Sequence, residues 1–420
     1  MKILIPAQSI ELTALVQRCL LIAERQGFTI NDIELGVSPT PCFCLVNNQD
    51  RLTISERSFS SDADIVIDYL PRLNVLTATR SLRVDGGSVF VGLDDRGHHI
   101  DTWCQGESVR AIRVCDKKAE NFDPSCHMAW LLTTLSLDFS IDDGLVLARA
   151  GCSVPRETWP TDFCSFPTPI LDNFLSIDSA SRCEKSINIV FPRLSSDHIG
   201  LYPIVNNIDL IERLLELGIR TIQLRLKSLE QTTLETQISQ AIELGRQYDA
   251  QIFINDHWQL AIQYGADGVH LGQEDLCSAN LQAIEQADIK LGLSTHGYYE
   301  LLRALQYFPS YIALGPIFST TTKHVPCKPQ GLVKLSLYQQ LINTVTKPQR
   351  DLGCPSVAIG GIDAGNAPQV WRCGVSGLAV VGAISHSVCL NDSVEKLKQT
   401  VVDKPPSSPI THMGGCSFHD

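Results

Sequence analysis

The chain has 420 residues, of which 44% are hydrophobic and 19% charged, and its formal net charge is -12. Such a length accommodates two or three domains with cores of their own, and the composition is that of a globular chain, not a disordered one. The acidic balance argues against general nucleic-acid binding, which needs phosphate-neutralising basic surface, but it leaves room for a local basic pocket.

The N-terminus, MKILIPAQSIELTALV, has one early lysine and no long apolar core, so it does not read as a signal peptide. No run of 18 apolar residues marks a membrane span. Of the 15 cysteines, the only close pair is Cys42 and Cys44, which is not metal-ligand spacing. Without a secretory signal the thiols are expected to be reduced, most of them as small core residues of a cytoplasmic protein.

In chain order, MKILIPAQ reads as a strand and SIELTALVQRCLLIAERQG as an amphipathic helix stopped by Gly27. Short alternating or apolar runs follow: PCFCLVN, DRLTISER, DIVIDYL, RLNVLTAT, SVFVGLD and VRAIRVC. HMAWLLTTLSLDFSIDDGLVLARA reads as two helices joined by a polar turn, with Ser140 as N-cap of the second. Residues 1–150 are therefore expected to form a small α/β domain, and they contain neither a GxxxxGK[ST] phosphate loop nor a GxGxxG turn. Residues 151–196 are richer in Pro, Ser and Cys and hold the domain boundary; Trp159, Phe163, Phe166 and Phe174 leave open an ordered connection instead of a free linker.

From 197 to 403 the pattern becomes regular. Eight strand-like runs, from GLYPIV to GLAVVGA, alternate with helical patterns and close with SVEKLKQTVV. Strict β-α alternation implies a parallel sheet and eight units imply a (β/α)8 barrel, with a doubly wound open sheet as the alternative. The tail 404–420 is expected to be disordered.

The polar residues of these strands fall at their C-terminal ends, where barrels of this kind place their sites. Gln223, Arg225 and Lys227 alternate with period two along IRTIQLRLK, so the spacing sends all three to one face. Asn255 and Asp256 close the next strand, and Gln273 and Asp275 follow the one after. Asp256 and Asp275 on adjacent strands are suited to share a hard cation such as Mg²⁺, and Arg225 and Lys227 to bind a phosphate or diphosphate. The competing reading makes each acid a helix N-cap after its strand. The long loop GPIFSTTTKHVPCKPQG offers Thr320, Thr322 and Lys323 for phosphate oxygens, against the plainer reading of a polar surface loop. Strands seven and eight end in Gly360-Gly361 and Gly382, where glycine permits close backbone approach to a phosphate. Two phosphate regions on one rim suggest two phosphorylated substrates. Ser294 ends strand five without an evident Asp-His partnership, so it is expected to contact substrate; His270 and His296 are bases or, more commonly, packing and hydrogen-bonding residues.

Residues 199 to 390 resemble thiamine-phosphate synthase through QLRLK, ND, HLGQED, LSTH, GPIFSTTTK, QGL and IGGI, in that order and spacing. The resemblance implies joining of 4-amino-2-methyl-5-(diphosphomethyl)pyrimidine to a thiazole phosphate, or its carboxylated form, with release of diphosphate. It further implies that Asp256 and Asp275 hold Mg²⁺ against the diphosphate while Arg225, Lys227, Asn255 and Lys323 neutralise its charge. Gln223 would contact the pyrimidine and Ser294 would sit near the reacting diphosphate. Thr320, Thr322, Gly361 and the Gly382-Ala383 backbone would hold the thiazole phosphate. This sequence departs from the family in having His324 after Lys323, where a second lysine is common, and Gly382 where a serine is common.

The stretch from SLRVDGGSVFVGLDDRGHHI to the helix pair resembles the C-terminal part of hydroxymethylpyrimidine-phosphate kinases. Asp123-Pro124-Ser125-Cys126 stands where those enzymes have a Gly-rich turn, and a carboxylate and a proline there oppose phosphate binding, implying a truncated remnant without kinase activity. The rival functional readings are a thiazole tautomerase on the same barrel, and a catalytic barrel with a regulatory or dimer-forming N-terminal module. Small phosphorylated molecules are the expected partners, with no nucleic acid and no membrane; homo-oligomerisation stays open.

Overall fold

Two α/β parts share one apolar core in the computed structural model, which describes residues 1–48, 50–57, 62–114, 122–171, 189–194, 199–227, 230–320, 328–345 and 353–402. The first part is a mixed sheet of β1 (Lys2–Pro6), β2 (Glu34–Ser38), β3 (Phe43–Val46), β4 (Arg51–Glu56), β5 (Ile65–Tyr69), β6 (Ser88–Asp95), β7 (His98–Gln105), β8 (Ser108–Val114) and β9 (Thr168–Pro169). Their spatial order is β2-β1-β3-β4-β5-β6-β7-β8-β9. Its helices are α1 (Leu12–Arg25), α2 (Val75–Leu82), α3 (Pro124–Ser136) and α4 (Ile141–Gly151).

In α1 the buried Leu12, Val16, Cys19, Leu20 and Ala23 fall on one face, and the chain turns away at Gly27 with φ +100°. The run RLNVLTAT is helix, because Asn74 Oδ1 accepts the Thr77 N–H at 2.8 Å and caps α2. Val75, Ala78 and Leu82 then cover one face of the sheet over Phe90, Leu93, Ile100 and Ala111. Ser140 caps α4 as its sequence suggests, accepting the Asp143 N–H at 3.2 Å.

Strands β2, β7 and β9 have no counterpart among the runs read from the sequence. β7, HHIDTWCQ, hides its pattern because Asp101 and Thr102 lie on buried positions. Asp101 is tolerated there by a two-pronged ion pair with Arg149, both contacts at 2.5 Å, and by the Gly92 N–H at 2.8 Å. β9 lies in the connecting segment, whose described part is tied to the second half: Thr344 Oγ1 accepts the Phe163 N–H at 2.8 Å, and Gln306 Nε2 donates to the Pro169 carbonyl at 2.9 Å. Phe174 and the tail 404–420 lie outside the described residues.

The second part is a closed barrel of eight parallel strands: β10 (Gly200–Val205), β11 (Thr221–Leu224), β12 (Gln251–Asn255), β13 (Gly268–Leu271), β14 (Lys290–Thr295), β15 (Tyr311–Leu314), β16 (Ser356–Ile359) and β17 (Gly377–Val380). β17 returns to pair with β10 in the register Gly200↔Gly377, which closes the sheet and excludes an open doubly wound arrangement. Around it, among the described residues, run α5 (Ile208–Glu216), α6 (Gln231–Gln247), α7 (Trp258–Tyr264), α8 (Gln273–Ser278), α9 (Leu281–Gln286), α10 (Tyr298–Leu305), α11 (Gly331–Asn343), α12 (Ala367–Trp371), α13 (Gly382–Ser385) and α14 (Leu390–Val402). Tyr202, Phe253 and Tyr311 fill the barrel interior edge to face, with centroids 5.3–5.8 Å apart. Gly292 leaves the Tyr311 ring its space, since a Cβ there would collide with it.

The two parts meet through an aromatic cluster. Trp159, 2% exposed, packs against Phe28, Trp130 and Phe139, and its indole N–H lies 3.4 Å from the Tyr298 hydroxyl on α10. Lys334 Nζ, on α11, donates to the Asp138 carbonyl at 2.8 Å, fixing the α3–α4 turn to the barrel.

Candidate active site

The C-terminal ends of the barrel strands converge on a cavity of about 390 Å³. Gln223, Arg225, Asn255 and Ser294 line it from the β11 to β14 arc of the barrel. Thr320, Gly361, Gly382 and Ala383 line it from the segments that follow β15, β16 and β17. β11 ends at Leu224, so the period-two alternation does not carry as far as Lys227. Gln223 is buried inside the barrel, Arg225 is half-buried at the rim, and Lys227 is exposed. Lys227 lines a neighbouring cavity of about 350 Å³, which Arg225 and His386 share with the first. Thr322 and Lys323 lie outside the described residues.

Asp256 follows Asn255 with φ +64°, a left-handed turn that takes its side chain out of the strand pattern. Its carboxyl titrates above the usual range, first through partial burial and then through the adjacent Asp275 carboxylate, while Arg225 pulls the other way. Asp256 is not the cap of α7, whose N-cap is His257. Asp275 does serve its own helix: it stands in the first turn of α8, and its Oδ2 accepts the Gly272 N–H at 3.2 Å. Neither acid is among the residues lining the two cavities; the adjoining carboxylates are an oxygen pair suited to a hard cation, although among the described residues no cluster of three or more His, Cys, Asp or Glu exists to form an all-protein cage.

A polar chain crosses the barrel interior beneath this rim. Gln223 Nε2 donates to the Tyr202 hydroxyl (3.3 Å), which meets the Tyr311 hydroxyl (2.9 Å); that hydroxyl reaches His270 Nδ1 (2.8 Å), and His270 Nε2 reaches Ser294 Oγ (2.8 Å). Burial pushes the ionisation of both tyrosines to higher pH, so they remain hydroxyls. Ser294 thus has a histidine partner that sequence reasoning did not place, but the far side of that ring meets a tyrosine, not a carboxylate. The available signal was tyrosine at positions 202 and 311, in strands otherwise aliphatic. Gln273 Nε2 holds the Ser294 carbonyl at 2.7 Å.

Opposite, the loops after β15 and β16 are laced together by Ile317 N–H to the Ile359 carbonyl (2.9 Å) and Phe318 N–H to the Gly360 carbonyl (3.0 Å). Gly360 and Gly361 have φ +102° and +65°, and a Cβ on Gly361 would press to 2.6 Å from the Ser319 carbonyl. Only glycine fits that approach. His296 also lines the cavity; its N–H and Nδ1 both lie 2.8 Å from Glu300 Oε2, and its carbonyl accepts from Gln330 at 2.6 Å. Burial works against the charge on Glu300, but the His296 contacts win and hold its carboxyl below the usual range.

Fold and site together define a (β/α)8-barrel enzyme with its pocket at the C-terminal rim. The profile of the TMP-TENI family, described as thiamine monophosphate synthase, matches residues 201–384. The thiamine-phosphate synthase of Serratia proteamaculans is 45% identical over 218 residues, covering 52% of this chain and 99% of that protein. That of Proteus mirabilis is 49% identical over 207 residues, covering 49% of this chain and 92% of that one. Among solved structures, thiamine phosphate pyrophosphorylase from Pyrococcus furiosus is similar at 28% identity and a TM-score of 0.43, over 50% of this chain and 98% of that chain. The chain belongs to the thiamine-phosphate synthase family, and its C-terminal barrel is a transferase that forms thiamine phosphate. No helix among the described residues is long and apolar enough to cross a membrane.

Proposed function

We propose that the rim pocket binds the pyrimidine diphosphate and the thiazole phosphate side by side and couples them by a dissociative substitution in the cytoplasm. The observation that supports this reading is that two different arcs of the closed barrel, β11 to β14 and the loops after β15 to β17, line one cavity with unlike groups. The first arc contributes Gln223, Arg225, Asn255 and Ser294; the second contributes Thr320, Gly361, Gly382 and Ala383. Gln223 hydrogen-bonds the pyrimidine, and Ser294 lies near the bond that breaks. Arg225 and Asn255 face the departing diphosphate, joined by Lys227 from the adjoining cavity and by Lys323. Thr320, Thr322, Gly361 and the Gly382-Ala383 backbone hold the thiazole phosphate.

Asp256 and Asp275 fit Mg²⁺ as an oxygen pair whose remaining positions are filled by waters and substrate phosphate. When bound, the ion supplies positive charge to the diphosphate as it departs. The protein's own contribution is to neutralise the leaving charge, exclude water and aim the thiazole nitrogen at the pyrimidine methylene carbon. No strong general base is required, which agrees with a His270 flanked by two hydroxyls. For the N-terminal part, the side chain of Asp123 caps α3 by accepting the Ser125 N–H at 2.9 Å. A carboxylate at that helix start opposes phosphate binding there, so the kinase-like stretch is read as a remnant without phosphoryl transfer.

Substrate-resolved kinetics test this division between the two arcs. Gln223→Ala is expected to raise KM for the pyrimidine diphosphate and Gly361→Ala that for the thiazole phosphate. Equal effects of both variants on both substrates would overturn it.

A further inference from the structure

The end of β14 carries the pocket residues Ser294 and Thr295, and the short connection to α10 carries His296, whose position depends on the start of that helix. Glu300, in the first turn of that helix, holds both the His296 N–H and its ring. The N-cap of α10 is Gly297, which has no side chain to satisfy the first helical N–H groups. Its φ of 173° is ordinary extended backbone, so glycine is not required there by conformation. It is required by space: a Cβ would collide with the carboxylate of Asp143, which arrives from α4 in the N-terminal part. Asp143 Oδ1 accepts the Tyr299 N–H at 3.0 Å across 156 positions of sequence. The missing cap is thus supplied from outside the barrel.

Asp143 is itself held. Ser140 fixes its backbone, and the neighbouring Asp142 is anchored to the sheet by Arg110 and by the Trp103 indole at 2.5 Å. The Arg110 guanidinium lies 5.0 Å from the centre of the Tyr299 ring, so the same sheet also grips the helix it caps.

We propose that Asp143 is a positioning residue of the synthase, capping α10 across the interface and thereby setting Ser294 and His296 in the pocket, so that the N-terminal part completes the site. This rests on the rim pocket being the place of catalysis.

The test uses the full chain and substrate-resolved kinetics. Asp143→Ala is expected to lower kcat/KM for the pyrimidine diphosphate roughly fivefold, the effect of losing one cap, and to leave the thiazole phosphate KM unchanged. Asp143→Asn keeps an acceptor oxygen and is expected to retain activity. The double variant Asp143→Ala with Gly297→Ser places a cap hydroxyl in the vacated space and is expected to recover the loss. Wild-type kinetics in Asp143→Ala would overturn the proposal, as would equal loss toward both substrates with no recovery in the double variant. Should Asp143→Ala not fold, Gly297→Ala, which displaces the carboxylate sterically, must show the same selective loss or the proposal fails. A wild-type protein without turnover would refute the pocket assignment instead.

Discussion

Ser294 Oγ lies 2.8 Å from His270 Nε2, and the other nitrogen of that ring lies 2.8 Å from the Tyr311 hydroxyl. The serine is therefore oriented from below by a ring that is itself held by a buried tyrosine, and its hydroxyl is presented to the cavity without a carboxylate to activate it. That arrangement suits a fixed hydrogen-bonding group more than a nucleophile. Ser294→Ala should reduce kcat by about tenfold to a hundredfold while leaving the melting temperature close to that of the wild type. A covalent substrate adduct on Ser294, trapped and found by mass spectrometry, would contradict this role.

Asp256→Asn and Asp275→Asn should each raise the Mg²⁺ concentration for half-maximal activity by at least about tenfold, because each removes one of two adjacent anionic donors. Asp275→Asn should also loosen the start of α8, since its carboxylate accepts the Gly272 N–H. Titration of activity with Mg²⁺ checks both; unchanged half-saturation in the two variants would remove the metal from this pair.

Burial pushes the Asp143 carboxyl up from an ordinary 3.8 to about 7. Between about pH 4 and pH 7 the folded chain therefore keeps a proton that the unfolded chain has released, and stability contributed by this group declines as pH rises through that window. Lys334 runs the other way: burial brings its ammonium down to about 8, so its penalty is present below that pH and is relieved on going higher. The melting temperature of Asp143→Asn minus that of the wild type should thus grow from pH 4 to about pH 7. A difference that stays constant over this range would contradict the assignment.

Much of this was legible in the sequence where local pattern and tertiary structure agree. Each barrel strand announces itself because it is a short apolar run between helical patterns, and the polar residues that break those runs, Gln223, Asn255 and Ser294, mark the rim. The pattern fails where a side chain's environment is made by distant residues. Asp101 looks like a surface residue until Arg149 is placed beside it. Lys227 looks coplanar with Gln223 because nothing local says that the strand stops at Leu224. The Tyr202–Tyr311 contact joins residues 109 positions apart, and the Asp143 cap joins residues 156 apart, which no window of sequence can display.

Trp159 is the centre of the contact between the two parts, 2% exposed and packed on Phe28, Trp130 and Phe139. Trp159→Ala should cost about 3–5 kcal/mol of stability, as removal of a buried aromatic ring does. Because the cavity opens between both parts, chemical denaturation should show the loss in a single shared transition; an unaffected barrel transition would mean that the parts unfold independently.

The most direct test is the reaction itself: thiamine phosphate and diphosphate measured together from the purified full chain given 4-amino-2-methyl-5-(diphosphomethyl)pyrimidine and the thiazole phosphate, with Mg²⁺ and after chelation. Equimolar products are expected with Mg²⁺ and none after chelation. Isomerised thiazole phosphate without diphosphate release, from a folded protein with Mg²⁺ present, would contradict that expectation.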